Sequence, residues 1–181
     1  MTREETVASV SRLNDFDIDE DDDLAIASQV IASFEEIRRD QNAHQRAVRF
    51  LHSCLKRYLW TWESLGCDAP GPDSAADAVE HWLGTGEFID GFEKLCFPVT
   101  PRRNGETVED CDEPALSDLS SASSRLLYFC VTRNATDAAM VVLSLFWADA
   151  EGLEADDGEG LCDWLASEGV SIAWDQEGNV K

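Results

Sequence analysis

The chain has 181 residues, 44% of them hydrophobic, which suits one folded domain and is too apolar for a disordered tail. A domain of this length hides roughly 70% of its unfolded surface and needs no disulfides for stability. Against 14 Lys and Arg stand 37 Asp and Glu, a formal charge of −23 that disfavours wholesale attraction to DNA, RNA or an anionic membrane.

Met1 to Val10 contains Glu4 and Glu5 and no apolar run, so no secretory leader is expected there. The most apolar stretch, Ala138 to Ala148, is about half as long as a bilayer requires. The expected location is the cytoplasm. Six cysteines, Cys54, Cys67, Cys96, Cys111, Cys130 and Cys162, form no C-x-x-C pair, which argues against a zinc ribbon or a thioredoxin-type motif. They are read as reduced thiols, those at Cys54, Cys130 and Cys162 as buried ones inside apolar helical patterns.

Residues 1–23 read as an acidic arm ahead of a single helical domain over 24–181. The arm ends in Asp15, Asp17, Asp19, Glu20, Asp21, Asp22 and Asp23. Their alternating spacing fails the EF-hand template, because Glu20 stands where Gly is needed and Ile26 where a bidentate Glu belongs. Carboxylates here complement the N-terminus of a following helix.

From Leu24 to Leu65 there is no Gly or Pro, and Val30, Phe34, Ile37, Val48, Leu51, Leu55, Tyr58, Trp62 and Leu65 recur with three-four spacing. One such helix would run about 60 Å, whereas a compact chain of this size is only about 40 Å across. The expected resolution is a break or kink near Asp40 to His44; a straight helix projecting toward a partner is the alternative.

Gly66 to Pro72 reads as a loop, followed by a helix from Asp73 or Ser74 through Leu83 that Gly84 ends. Thr85 to Phe97 reads as a second short helix with Phe88, Ile89, Phe92, Leu95 and Cys96 inward. Pro98 to Pro114 is the longest expected loop and the most mobile internal segment. Helices over Ala115 to Thr132 and Ala135 to Ala150 follow, the latter apolar on nearly every side and hence central. After a Gly-rich acidic turn, Gly152 to Gly160, come a helix from Leu161 to Glu168 and a hairpin pairing Val170 to Trp174 with Asn179 to Lys181. The expected fold is all-α, a bundle of six to eight helices to which a small C-terminal β-hairpin can be added.

One segment departs from the global charge. Arg38, Arg39, Arg46, Arg49, Lys56 and Arg57 share their stretch with the single acid Asp40. On a helix with Val48 at zero, the six fall at about 80° to 180°, and the apolar residues fill most of the remaining arc. The plain reading is a solvated face paired with the chain's own acids; the functional one is a site for a phosphate, a nucleic-acid backbone or an acidic segment. No aromatic residues interleave the stripe, which counts against single-stranded nucleic acid.

His44 falls inside the apolar arc and, with Gln41, Tyr58 and Trp62, defines the candidate pocket. His52 borders the stripe, and His81 lies beside Trp82. No His or Cys pair has metal-ligand spacing, so no metal or cofactor is expected. Neither a nucleophile elbow nor a phosphate loop occurs. Ser117, Ser120, Ser121, Ser123 and Ser124 suit close helix packing.

The functional expectation is a non-catalytic acidic protein that binds another macromolecule, in the manner of an inhibitor or immunity-type antagonist of a basic partner such as a nuclease. Its docking carboxylates would be Asp15 to Asp23 together with Asp156, Asp157 and Glu159. The competing expectations are a ligand-binding protein or enzyme with a pocket inside the bundle, and a helical scaffold subunit. The acidity also has a general explanation in salt adaptation. Oligomeric state is left open.

Overall fold

The computed structural model describes residues 41–68, 70–107, 113–155, 158, 160–164 and 168. Helices dominate them: α1 (Gln41–Lys56), α2 (Leu59–Ser64), α3 (Pro72–Thr85), α4 (Glu113–Thr132), α5 (Ala135–Ala150) and the short α6 (Leu161–Trp164), with a 3-10 turn at Phe92–Lys94. A two-stranded antiparallel ribbon joins β1 (Arg102–Arg103) to β2 (Glu106–Thr107). The acidic arm, the segment 24–40 and the C-terminal hairpin lie outside the described residues, and the expected total of six to eight helices extends over them. None of the described helices is long and apolar enough to cross a membrane.

Helix α5 sits at the centre, buried from Ala135 through Ala138, Ala139, Val141, Val142, Leu143 and Leu145 to Ala148. A helix with apolar side chains all round has no face for water, so neighbours must enclose it. The most extensive of these contacts is with α4, whose Leu116, Leu119, Ala122, Leu126, Leu127 and Phe129 are buried. Ser120, Ser123 and Ser124 are buried among them. The Ser123 hydroxyl donates to the Ser120 carbonyl at 2.8 Å and Ser124 to that of Ser121 at 3.0 Å, so these small side chains allow close approach without orphaning a polar atom.

Only Arg133 and Asn134 separate the two helices, which makes an αα-hairpin. Arg133 adopts φ 55°, the left-handed conformation that ends a helix. Asn134 Oδ1 then caps α5 by accepting from the Thr136 N–H at 3.1 Å. Asp137 locks the turn, accepting from Thr132 Oγ1 at 3.0 Å and from Arg125 Nη1 at 3.2 Å.

Helix α1 packs on α3, α4 and α5 through Ala47, Val48, Leu51, Cys54 and Leu55. Gln41 to His44, where a break was expected, are helical. Asp40 lies outside the described residues. Within them an interruption falls at Arg57 and Tyr58, with tight bonds from Tyr58 N–H to Leu55 O (3.1 Å) and from Thr61 N–H to Tyr58 O (3.2 Å). The cause is tertiary. Tyr58 donates its hydroxyl to Asp149 Oδ1 at 2.8 Å, and Trp60 Nε1 and Thr61 Oγ1 both donate to the Glu154 carbonyl, at 3.1 and 3.2 Å. Asp149 Oδ2 accepts from the Leu161 N–H at 3.2 Å, so one carboxylate ties the α1–α2 elbow to the start of α6.

Helix α3 starts one residue earlier than expected and ends later. Gly71 precedes Pro72 in the first turn, Gly84 is helical, and the stop is Gly86 at φ 77°. The expected helix over Thr85 to Phe97 reduces to the Phe92–Lys94 turn, because Gly86 and Gly91 (φ 81°) turn the chain left-handed at two points. In the expected mobile connection, Asn104 and Gly105, at φ 54° and 81°, form a primed hairpin turn between β1 and β2. Asp68 clamps it: its carboxylate accepts from Asn104 N–H at 3.1 Å and Gly105 N–H at 2.6 Å, and its own N–H donates to Arg102 O at 2.6 Å.

Two glycines give opposite expectations. A Cβ at Gly71 would collide with the Trp62 indole, 2.7 Å from its Cε2, so Gly71→Ala is expected to cost about 1–3 kcal/mol as an overpacked site. Gly84 is helical with nothing within 4 Å of an added Cβ, so Gly84→Ala is expected to stabilise by roughly 0.5–1 kcal/mol. Urea unfolding midpoints of the two variants, moving in opposite directions, check both.

Candidate functional site

Many of the residues singled out in the sequence lie outside the described residues, and the described ones are spread over several elements. Of the basic stripe, Arg38 and Arg39 lie outside the described residues. Arg46 and Arg49 are half-buried and Lys56 is exposed; Lys56 reaches Glu80 at 3.8 Å, with both side chains more than half exposed, a surface pair of little energetic weight. Arg57 leaves the stripe altogether. It is buried, its guanidinium carbon 4.6 Å from the centre of the Trp164 ring, a cation–π contact that helps seat α6. The carboxylates of Asp15 to Asp23 and those of Asp156, Asp157 and Glu159 also lie outside the described residues.

Of the pocket candidates, His44, Tyr58 and Trp62 are buried. His44 lies in the first turn of α1 and Tyr58 two residues past its end, and a rise of about 1.5 Å per residue puts roughly 20 Å between them. His44 is buried, edge-on to Phe129 (4.8 Å) and Trp82 (5.7 Å), and donates from Nε2 to the Cys130 carbonyl at 3.2 Å. Tyr58 belongs to the Asp149 contact. Trp62 packs under Gly71, and Gln41 is the first residue of α1. Among the described residues, no group of three or more His, Cys, Asp and Glu side chains is arranged to hold a metal ion.

Burial governs the titrating groups. It pushes the Cys54 thiol up to about 12 and raises Cys130 and Cys96 as well, which removes their thiolate character at neutral pH. The Tyr58 hydroxyl is raised by burial and then by Asp149 beside it. Asp118 is pushed to about 6 by burial, with Glu151 adding to the effect.

A different surface stands out from the described residues: the outer side of α3 and the loop after it. Asp77, Glu80, Glu87, Asp90 and Glu93 are all exposed, and of these only Glu80 forms a salt bridge among the described residues. The loop is built on an aromatic column. Phe88 stacks on Trp82 at 5.8 Å, and Phe92 on Phe88 at 4.2 Å. Cys96 Sγ turns back to Phe92 O at 3.7 Å, and Val99 N–H donates to Ser120 Oγ at 2.6 Å, fixing the exit of the loop against α4. Between those anchors Phe97 is left 64% exposed.

The arrangement is a firmly held loop that presents carboxylates and one aromatic ring to solvent. This suits recognition by contact. Reading Thr85 to Phe97 as a helix hid it; the signal that would have revealed it is the pair of glycines, Gly86 and Gly91, punctuating a short apolar stretch.

Because Cys54 and Cys130 are buried and their thiols raised, neither is expected to be alkylated by iodoacetamide in the native protein at pH 7.5 over minutes, and both are expected to react fully in urea. Peptide mass spectrometry before and after unfolding reads the difference.

No family model matches the chain, and neither a curated protein nor a solved structure matches it, so a functional reading has to be built from the geometry above.

Proposed function

We propose that the protein is a non-catalytic cytoplasmic binding protein whose acidic exterior docks a macromolecule with a basic surface, as an inhibitor or immunity-type antagonist does. The supporting observation is the run Asp77, Glu87, Asp90 and Glu93, exposed along α3 and its loop without salt bridges among the described residues. In a chain of formal charge −23, uncompensated carboxylates on one side repel each other, and a basic surface relieves that repulsion on docking. Such complementarity acts first on the encounter rate.

The competing readings have less to stand on. A pocket shared by His44, Tyr58 and Trp62 would need them together, and His44 sits near the opposite end of α1 from the elbow that carries Tyr58. A scaffold built on a rod over residues 24–65 would need an unbroken helix, and the chain turns at Arg57 and Tyr58.

The test begins with the partner retained by the immobilised protein at low salt and identified by mass spectrometry. Its association rate, measured by stopped flow, is expected to fall at least tenfold between about 50 and 500 mM NaCl. The variant Asp77→Asn, Glu87→Gln, Asp90→Asn, Glu93→Gln is expected to lose a comparable factor at low salt while keeping its helical circular dichroism. An affinity that ignores ionic strength would overturn the reading.

A further inference from the structure

Helix α1 carries two buried imidazoles on one ridge. His44, Val48, His52 and Lys56 follow at intervals of four along the row of side chains by which helices interlock. The row lies against α3: His44 meets the Trp82 ring, His52 is beside the Ala76 carbonyl, and Lys56 pairs with Glu80. His44 and His52 are 1% and 7% exposed, so neither can charge while hydrated. His44 spends its Nε2 proton on the Cys130 carbonyl of α4. His52 Nε2 is buried with no hydrogen-bond partner, an arrangement suited to the neutral ring and costly for the charged one.

The groups facing each ring do not rescue a cation in the same way. His44 has Arg133, at the end of α4, opposing it, and only the Cys130 carbonyl in favour. His52 has Lys56 of its own helix opposing, and Glu80, the Ala76 carbonyl and Asp77, all of α3, in favour, the two carboxylates being exposed. Burial outweighs the rest at both, and both are held below the ordinary histidine value of 6.5.

We propose that the α1–α3 contact is an acid-sensitive fastening, in which protonation of His44 and His52 loosens α1 from α3 and α4 while the α4–α5 hairpin stays closed. The sign follows from linkage. A histidine lowered in the folded state binds its proton more readily when unfolded, so the stability it confers is complete well above pH 6.5 and is lost as pH falls through that value. Asp118 acts oppositely. Raised to about 6 in the folded state, it favours folding as pH falls through 6, so the histidine effect has to be isolated by comparison.

Urea unfolding of the wild type and of the His44→Gln, His52→Gln variant at pH 7.5 and 5.5 provides that comparison. The wild-type folding constant is expected to drop at least tenfold relative to the variant's between the two pH values; parallel pH dependences would overturn the proposal. Should the variant fail to fold, the wild type alone decides. Two imidazole C2–H resonances are expected to titrate below 6.5. Amide protection in α1 and α3, corrected for intrinsic exchange, is expected to fall at pH 5.5 while that of α4 and α5 holds. Titration of both rings at or above 6.5, or a uniform loss of protection, would refute it.

Discussion

The described fold answers to one constraint: α5 is apolar on nearly every side and is buried over most of its circumference. Its Ala139, Leu143, Leu145 and Ala148 are spread round more than half of the helix and are all buried, so a single neighbour cannot cover it. Burying a Val or Leu side chain is worth about 1.5–3 kcal/mol, and several neighbours together have to realise that gain. Helix α4 covers one side through the short hairpin, α1 another, and the chain after Gly152 returns with Leu153, Ala155, Leu161 and Trp164 to cover more. That returning segment has little regular structure to hold it. The elbow at Arg57 to Thr61 does so with polar contacts, Tyr58 and Leu161 converging on Asp149 while Trp60 and Thr61 share the Glu154 carbonyl.

The same constraint explains why the interior offers so little for chemistry. Many of the described polar groups that reach the core help to close it. The Asp149 carboxylate accepts from two donors, Asp137 from Thr132 and Arg125, and the Ser123 and Ser124 hydroxyls bond within their own helix. Thiols at Cys54 and Cys130 are raised by burial. A catalytic site needs groups whose protonation can change at working pH and which a substrate can reach; among the described residues, burial holds His44 and His52 below the ordinary histidine value, and both serve the packing of α1.

What could be read from the sequence divides along a physical line. Periodicity gave the α4 and α5 spans within a few residues, and the unbroken apolar surface of α5 gave its central place, because both follow from the helix's own repeat. Three things were out of reach of that reasoning. The elbow at Arg57 depends on Asp149, a partner far along the chain. Arg57 lay on the basic stripe by angle alone, and its contact with Trp164 took it inside. The loop after α3 has helix-like apolar spacing, yet Gly86 and Gly91 at positive φ turn it into a ledge. The Asn104–Gly105 turn was legible in principle, since that dipeptide is the strongest short hairpin signal, and Asp68 completes it from a distance.

Two explanations of the acidity make different demands on the surface. Adaptation to salt needs only that carboxylates be plentiful and hydrated; it gives no reason for an apolar ring to stand in water beside them. Phe97 does stand there, 64% exposed, in the segment that carries Glu87, Asp90 and Glu93, and it is held out by a loop anchored at both ends. A flexible loop could fold such a ring inward and recover part of its burial energy. The Phe88–Phe92 stack and the Val99–Ser120 bond prevent that, so the exposure is maintained by the core. Carboxylates that draw a basic surface in, and a fixed aromatic ring to bury once it arrives, are the two components of a docking face. Under the proposed docking role the exposed aromatic, more than the net charge, is the feature to which salt adaptation assigns no part.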